Sequence, residues 1–72
     1  MHTTITYRFP DAVLANRFKN TLTHWSVADV KAKLSRDDKT VSVAYQIESR
    51  GYDRTAAELD DLADSLQGRE ID

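Results

Sequence analysis

The sequence predicts an α+β domain, a two-layer α/β sandwich in which two helices cover one face of a three-stranded sheet, with the order β-α-β-β-α. Three observations predict it. Polar and apolar residues alternate in three segments, two other segments repeat apolar residues at steps of three and four, and each alternating segment is apolar on one side only. Helices are expected on the apolar side, because the polar side suits contact with water.

Length and composition limit what the chain can be. Its 72 residues predict a single domain, residues 1–72, because a core this small buries only ~60% of the surface that the unfolded chain exposes. The chain has no cysteine, which excludes disulfides and thiolate metal sites and leaves self-association as the available reinforcement. No apolar run is long enough for a membrane span and the start does not resemble a signal peptide, so we expect a cytoplasmic protein without membrane contact.

The first strand is predicted at Thr3–Phe9, where polar and apolar residues alternate. The period then changes, and Pro10 suits the first turn of a helix that runs to about His24. The apolar stripe of this helix consists of Leu14, Ala15, Phe18, Leu22 and Trp25. Its opposite face is polar, so the stripe is expected to pack on the sheet.

The next alternating segments predict a β-hairpin with its turn centred on Asp37 and Asp38. The pairing that keeps every apolar residue on one face is Leu34 with Val41, Ala32 with Val43, and Val30 with Tyr45. Ile47 continues the buried side of the second of these strands. Val27 falls on the wrong side for this face, which predicts a bulge or an irregular strand start near Ala28 and Asp29.

A turn at Gly51 and a second helix complete the predicted elements. Thr55 and Glu58 have the spacing of a capping box, Asp53 is a competing cap, and Gly68 has the backbone freedom to end the helix. The apolar stripe consists of Leu59, Leu62, Ala63 and Leu66. The tail REID follows.

The order of these elements resembles the ferredoxin-like plait, β-α-β-β-α-β, with its last strand missing or reduced to the tail REID. The first strand is expected beside the third, which is then central, or beside the second through a right-handed parallel crossover. It is an edge strand in both orders. The resemblance concerns a fold that hosts many activities, so it implies none for this chain.

The sequence contains no recognisable catalytic, cofactor or metal motif, so we interpret the chain as non-catalytic. His2 and His24 lack the spacing of paired ligands, and Gly51 and Gly68 form no phosphate-binding loop. The second helix carries the acidic cluster Glu58, Asp60, Asp61 and Asp64. We interpret this cluster as a solvated helix face, because no ordered loop supplies further ligands to a cation.

The side of the sheet away from the helices is expected to be polar. Its predicted members are Thr4, Thr6, Arg8, Asp29, Lys31, Lys33, Ser42, Ala44, Gln46 and Glu48. No aromatic residue is among them, which disfavours a nucleic acid partner bound by base stacking. The basic patch of Arg8, Lys31 and Lys33 allows only phosphate contact without sequence readout.

The first strand is the predicted contact site, because natural sheet edges are usually guarded and this one has few guards. The second strand carries Lys31 and Lys33, whereas the first has only Arg8 and the proline that ends it. The predicted interaction residues are Thr3, Thr4, Ile5, Thr6, Tyr7, Arg8 and Phe9. They are expected to pair with a second copy, giving a homodimer, or to capture a strand of another protein.

Two other functions remain open at this point. One is a dimeric ligand-binding or catalytic unit whose pocket lies between subunits. The other is a nucleic-acid-binding regulator that uses Arg8, Lys31 and Lys33.

Overall fold

The computed structural model describes residues 2–47 and 54–71. Its elements are β1 (His2–Arg8), α1 (Ala12–Thr23), β2 (Lys31–Leu34), β3 (Thr40–Gln46), α2 (Arg54–Ser65) and β4 (Arg69–Ile71). The strands form one antiparallel sheet in the order β2-β3-β1-β4. The predicted α+β class with two helices is confirmed, but the sheet has four strands and not three.

The additional strand, β4, changes the place of β1 in the sheet. Thr6 pairs with Ile71 and Arg8 with Arg69, so this part of β1 lies between β3 and β4. Of the two neighbours predicted for β1, the structure has β3, and the prediction that β1 is an edge strand in either order is wrong. A strand is held by backbone N–H and C=O groups, so a segment with one apolar residue can join a sheet without an alternating pattern.

The end of α2 directs the chain into β4. The Gly68 N–H donates to the Ala63 carbonyl at 2.7 Å and the Gln67 N–H to the Asp64 carbonyl at 3.0 Å, which is the hydrogen-bond pattern of a Schellman motif. Gln67 has a φ of 65°, so Gln67 and not Gly68 adopts the left-handed conformation. The predicted role of Gly68 was thus wrong.

Gly68 is required for a close contact with the end of β1. A Cβ atom added there would lie 2.7 Å from Cδ2 and from Cζ of Phe9, too close for van der Waals contact. The absence of a side chain lets the Phe9 ring, which is 2% exposed, lie against the backbone between α2 and β4.

The hairpin has the predicted register, with Leu34 opposite Val41 and Ala32 opposite Val43. Its turn is held by Asp37, whose carboxylate accepts hydrogen bonds from the Lys39 N–H, the Ser35 hydroxyl and both N–H and hydroxyl of Thr40, at 2.8 to 3.0 Å. The donors, first of all the Lys39 N–H, stabilise the charged form and lower the Asp37 pKa below its usual range. Residues 25–30 form no helix or strand, so β2 begins at Lys31 and the predicted pair of Val30 with Tyr45 is not part of the hairpin.

The beginnings of both helices differ from the prediction. The Asp11 carboxylate accepts a hydrogen bond from the Leu14 N–H at 2.9 Å and caps α1, so Pro10 lies before the cap and not in the first turn. In α2 the helix already includes Arg54, which places Thr55 inside it rather than at a capping-box position. Asp53 and the predicted turn at Gly51 lie outside the described residues.

Both helices and one side of the sheet share one hydrophobic core. Its buried members are Tyr7, Phe9, Ala15, Phe18, Leu22, Val41, Val43, Tyr45, Leu59 and Ala63. Phe18 lies at the centre, with ring centroids 5.4 Å from Tyr7 and 4.9 Å from Phe9. Ile47 is half-buried against this core. The apolar stripes of α1 and α2 and the apolar side of the hairpin therefore face each other as predicted.

Candidate interaction surfaces

The side of the sheet away from the helices forms one continuous surface. Cross-strand partners point to the same side of a sheet, and their neighbours along the strand point to the other. Since Tyr7, Val41 and Val43 point into the core, the alternate positions point outward. This surface, here called the open face, consists of His2, Thr4, Thr6, Arg8, Lys31, Lys33, Thr40, Ser42, Ala44, Gln46, Arg69 and Ile71.

The charge on the open face is entirely positive within the four strands. Its four basic residues, all exposed, are Arg8, Lys31, Lys33 and Arg69. The chain as a whole has a net charge of −2. Of the two carboxylates predicted on this side, Asp29 lies before β2 begins and Glu48 lies outside the described residues. The strands thus place four of the chain's ten Lys and Arg residues on this side, where Asp29 lines a depression together with Lys31.

Arg8 and Arg69 form the densest part of this charge. They occupy directly opposite positions on β1 and β4. Both line a surface depression of about 360 Å³, together with Phe9, Pro10 and Gln67. Like charges at opposite positions destabilise a strand pair. Within the described part of the chain neither arginine forms an ion pair, the one such pair being Arg54 with Glu58 at 3.9 Å.

The middle of the open face is small and polar. The Thr6 and Ser42 hydroxyl oxygens lie 3.4 Å apart, and Thr4 and Ala44 occupy the adjacent row of the same two strands. The aromatic residues of the strands lie in the core, as predicted from their positions in the alternating pattern. The face therefore offers hydroxyl donors and cations, and its ring for base stacking is limited to the imidazole of His2 at the start of β1, with no Phe, Tyr or Trp.

The structure divides the predicted contact strand into two halves. Tyr7 and Phe9 are buried, and Thr6 and Arg8 pair with β4, so the second half is not available as a free edge. In the first half Thr3 and Ile5 are half-buried, while Thr4 is exposed. Pairing along this half is found only with β3 among the described residues.

The backbone direction along β1 identifies which groups face that uncovered side. The Phe9 N–H donates to the Lys39 carbonyl at 2.8 Å, in line with the ladder to β3. Successive residues direct their N–H and C=O groups to opposite sides, so those of Thr4 and Thr6 are directed away from β3. Thr6 meets Ile71 of β4, whereas Thr4 has no strand partner there in the described residues.

The acidic helix has one structural contact that the interpretation as a solvated face did not include. The Tyr7 hydroxyl donates to Oδ1 of Asp60 at 2.5 Å, and Tyr7 is only 1% exposed. Burial, and then the Asp60 hydrogen bond, raise the Tyr7 pKa well above its usual range, since both favour the protonated form. The sequence pattern could not predict this contact, because Tyr7 and Asp60 lie 53 positions apart in the chain.

The carboxylates of Asp60, Asp61, Asp64 and Glu70 line a cleft of about 380 Å³ between α2 and β4, which Arg69 also borders. Over residues 2–47 and 54–71, no group of three His, Cys, Asp or Glu side chains is arranged to hold a metal ion. His24 caps the C-terminus of α1, as its predicted position implied, and His2 is exposed at the start of β1.

Within the same ranges no helix has the length and apolar character that a membrane crossing requires. Comparison of the chain with protein-family models, curated proteins and solved structures found no match.

Proposed function

We propose that this protein is a non-catalytic interaction module that binds a polyanion on its open face. The observation that carries the proposal is the set Arg8, Lys31, Lys33 and Arg69, four exposed cations on the side of the sheet where the strands place no carboxylate, since Glu70 of β4 pairs with Tyr7 on the other side. A surface of one charge sign attracts and orients partners of the other sign.

The fold that we propose for this module is the ferredoxin-like plait. The element order β-α-β-β-α-β supports it. So does the antiparallel sheet, in which β1 and β3 are central and β2 and β4 are the outer strands. In such an arrangement both helices lie on one side, which leaves the other side of the sheet for a partner.

The net charge of −2 is compatible with binding a polyanion. Charges separated by more than about 8 Å are largely screened at physiological ionic strength, so a bound anion interacts mainly with the groups around it. The carboxylates of α2 belong to the helix layer, and of the four cations Arg69 alone borders the cleft that Asp60, Asp61 and Asp64 line. We expect binding to weaken as salt concentration rises.

A charge-reversal pair tests the proposal. Lys31→Glu with Lys33→Glu places two negative charges on the open face, while Arg17→Glu with Lys19→Glu makes the same change of net charge on α1. Binding of a fluorescein-labelled heparin fragment and of a labelled 20-nucleotide single-stranded DNA is measured by fluorescence anisotropy. We expect at least a tenfold loss of affinity in the first variant and less than a threefold loss in the second. Equal losses in both variants, or no binding by the wild-type protein, would contradict the proposal.

A second candidate function is strand addition at the uncovered half of β1, with a second copy or another protein supplying the strand. The observation that favours it is the direction of the Thr4 N–H and C=O groups, away from β3. Two copies joined antiparallel at this half would form a single eight-stranded sheet, since each contributes four strands.

Two proline variants separate this candidate from the first. Thr4→Pro removes an N–H that has no strand partner in the described residues, so it should abolish assembly and leave the monomer folded. Thr6→Pro removes an N–H directed at β4 and should destabilise the monomer itself. Sedimentation equilibrium gives the oligomeric state and thermal unfolding the stability. A wild-type monomer at millimolar concentration that captures no extended peptide would refute strand addition.

A further inference from the structure

We infer that Arg8 and Arg69 form a phosphate-binding site, and that the polyanion bound by the open face is a nucleic acid held through its phosphodiester groups. This inference rests on the proposed function and names its partner class. It also specifies which two residues provide the strongest contact.

The first step is the placement of the two arginines. Directly opposite residues on antiparallel strands have Cα atoms about 4.5–5.5 Å apart, so two guanidinium groups can reach one anion. Both side chains line the same depression, and none of the other lining residues, Phe9, Pro10 and Gln67, is acidic. A bound anion would relieve the repulsion between the two like charges.

The second step is the chemistry of the guanidinium group. Its planar donors form two parallel hydrogen bonds to a phosphate, which a lysine ammonium group cannot do. On the open face, Thr40 is the cross-strand partner of Arg8, and Thr6 is the residue before Arg8 on the same side of β1. Hydroxyl groups of this kind commonly donate to phosphate oxygens in nucleic acid complexes.

The third step is the distance between the arginines and the lysines. Lys31 and Lys33 lie on β2, which is two strands from β1 and three from β4. With a strand spacing of about 4.8 Å, these separations are roughly 10 Å and 14 Å across the sheet. One small anion cannot contact both groups, whereas a strand that carries successive phosphates can extend from one to the other.

The fourth step distinguishes a nucleic acid from an acidic protein. Protein interfaces depend on buried aromatic or aliphatic anchors at their centre. The apolar members of the open face are Ala44 and Ile71, both half-buried within the sheet. Phosphate binding needs no such anchor. Without Phe, Tyr or Trp on the face, binding should be independent of base sequence and steeply dependent on salt.

The test replaces the guanidinium groups of the two arginines with ammonium groups, which keeps their positive charge. Arg8→Lys with Arg69→Lys is compared with Arg8→Ala with Arg69→Ala, and Arg36→Lys with Arg54→Lys serves as the matched control. Affinity for labelled 20-nucleotide single-stranded DNA is measured by anisotropy between 20 and 200 mM NaCl. Thermal unfolding confirms that each variant is folded.

We expect the Lys pair to bind DNA about tenfold more weakly with an unchanged salt slope. We expect the Ala pair to bind more weakly still, with the slope of log K against log salt reduced in magnitude by about 1.4, the value for two lost phosphate contacts on a single strand. The control pair should match the wild-type protein. In NMR spectra, the Nε–Hε signals of Arg8 and Arg69 should shift on addition of DNA, and that of Arg54 should not.

Other outcomes overturn the inference in distinguishable ways. If the Lys pair binds DNA as the wild type does, the arginine site is wrong while a polyanion-binding face remains. If poly-L-glutamate of equal charge, or vesicles with anionic lipid, bind as tightly as DNA, the assignment to nucleic acid is wrong. If the Lys31 and Lys33 charge reversal leaves all binding unchanged, the proposed function itself fails.

Discussion

The two sides of this sheet are built from alternate residues of the same strands, yet they differ in burial and in charge. Tyr7 is 1% exposed and its ring packs against Phe18. Its neighbour Arg8 is exposed and has no acidic partner among the described residues. Val41 and Val43 are fully buried, while Lys31 and Lys33 are exposed. One side therefore determines stability, and the other can be changed with little effect on it, because exposed substitutions usually alter stability by no more than about 0.5 kcal/mol.

The largest expected effect is on the helix-covered side, at the centre of the core. Phe18→Ala should reduce the free energy of unfolding by about 3–5 kcal/mol, because it leaves a cavity between Tyr7 and Phe9. A core of this size provides roughly that much free energy of unfolding in total, so urea titration should find the variant largely unfolded even at low urea concentration. Val13→Ala, at a position 67% exposed on the same helix, is the control and should change little. A stable Phe18→Ala protein would show that the core lies elsewhere.

The contact between Gly68 and Phe9 should give the next largest effect. Gly68→Ala forces the Phe9 ring to move and should cost about 1–3 kcal/mol, as overpacking usually does. Gln67→Gly is the matched substitution, because Gln67 has the positive φ. It should leave stability unchanged or raise it by up to about 1 kcal/mol. The reverse order in thermal unfolding would assign the strained position to Gly68 instead.

Substitutions of Asp60 and Asp64 test whether the acidic residues of α2 contribute to the stability of the helix-covered side. Asp60→Ala leaves the Tyr7 hydroxyl without its acceptor and should cost about 1–3 kcal/mol. Asp64→Ala removes an exposed carboxylate from the same helix and should cost less than about 0.5 kcal/mol. Urea denaturation of the two variants measures the difference. Equal values would mean that the hydrogen bond contributes nothing to stability.

Alkaline pH gives a second measure of the same hydrogen bond. The folded state raises the Tyr7 pKa above 10.0, so the unfolded chain loses its proton first and stability falls as pH rises above that value. The loss due to Tyr7 should be about 1.4 kcal/mol at pH 11, one pKa unit above the unfolded value. Tyr7→Phe should lack this component, since all other groups titrate in both proteins. Parallel pH profiles for the two proteins would contradict the assignment.

The smallest stability effect is expected on the open face. Arg8→Thr and Arg69→Thr each remove one of two opposed like charges and should change stability by less than about 0.5 kcal/mol, in the stabilising direction. Thermal unfolding in low salt measures this effect best, because salt screens the repulsion. A clear destabilisation would mean that these arginines stabilise the sheet, and it would contradict the view that only the helix-covered side determines stability.

The sequence was sufficient where the determining contacts are local. The hairpin register follows from the alternation around Ala32 and Val43, because any shift by one residue would turn the apolar side outward. The apolar stripes of the helices follow from their spacing in the same way. Asp11 was a readable signal that the prediction missed, since an aspartate before a helix is a common cap.

The sequence was insufficient where residues distant along the chain meet. Ile71 lies on the open face beside Thr6, so β4 has no buried apolar residue to reveal it and is held by its backbone pairing. Arg69 could not be placed beside Arg8 without that strand, and the basic patch was therefore counted as smaller than it is. The pairing of Tyr7 with Asp60 depends on the same arrangement of α2 and β1.

The position of β4 has a consequence for synthesis on the ribosome. Thr6 and Ile71 pair across 65 residues of chain, so β1 emerges early and acquires its second neighbour only after α2 has been made. During that interval β1 is an unpaired edge in the nascent chain, and long-range pairing of this kind is slow to form. Exposed edges of incomplete sheets are sites of aggregation and of chaperone binding. Arg8 is the residue of β1 that carries a permanent charge. Until β4 pairs with β1 and places Arg69 opposite it, the charge of Arg8 is what opposes pairing of this edge with other chains.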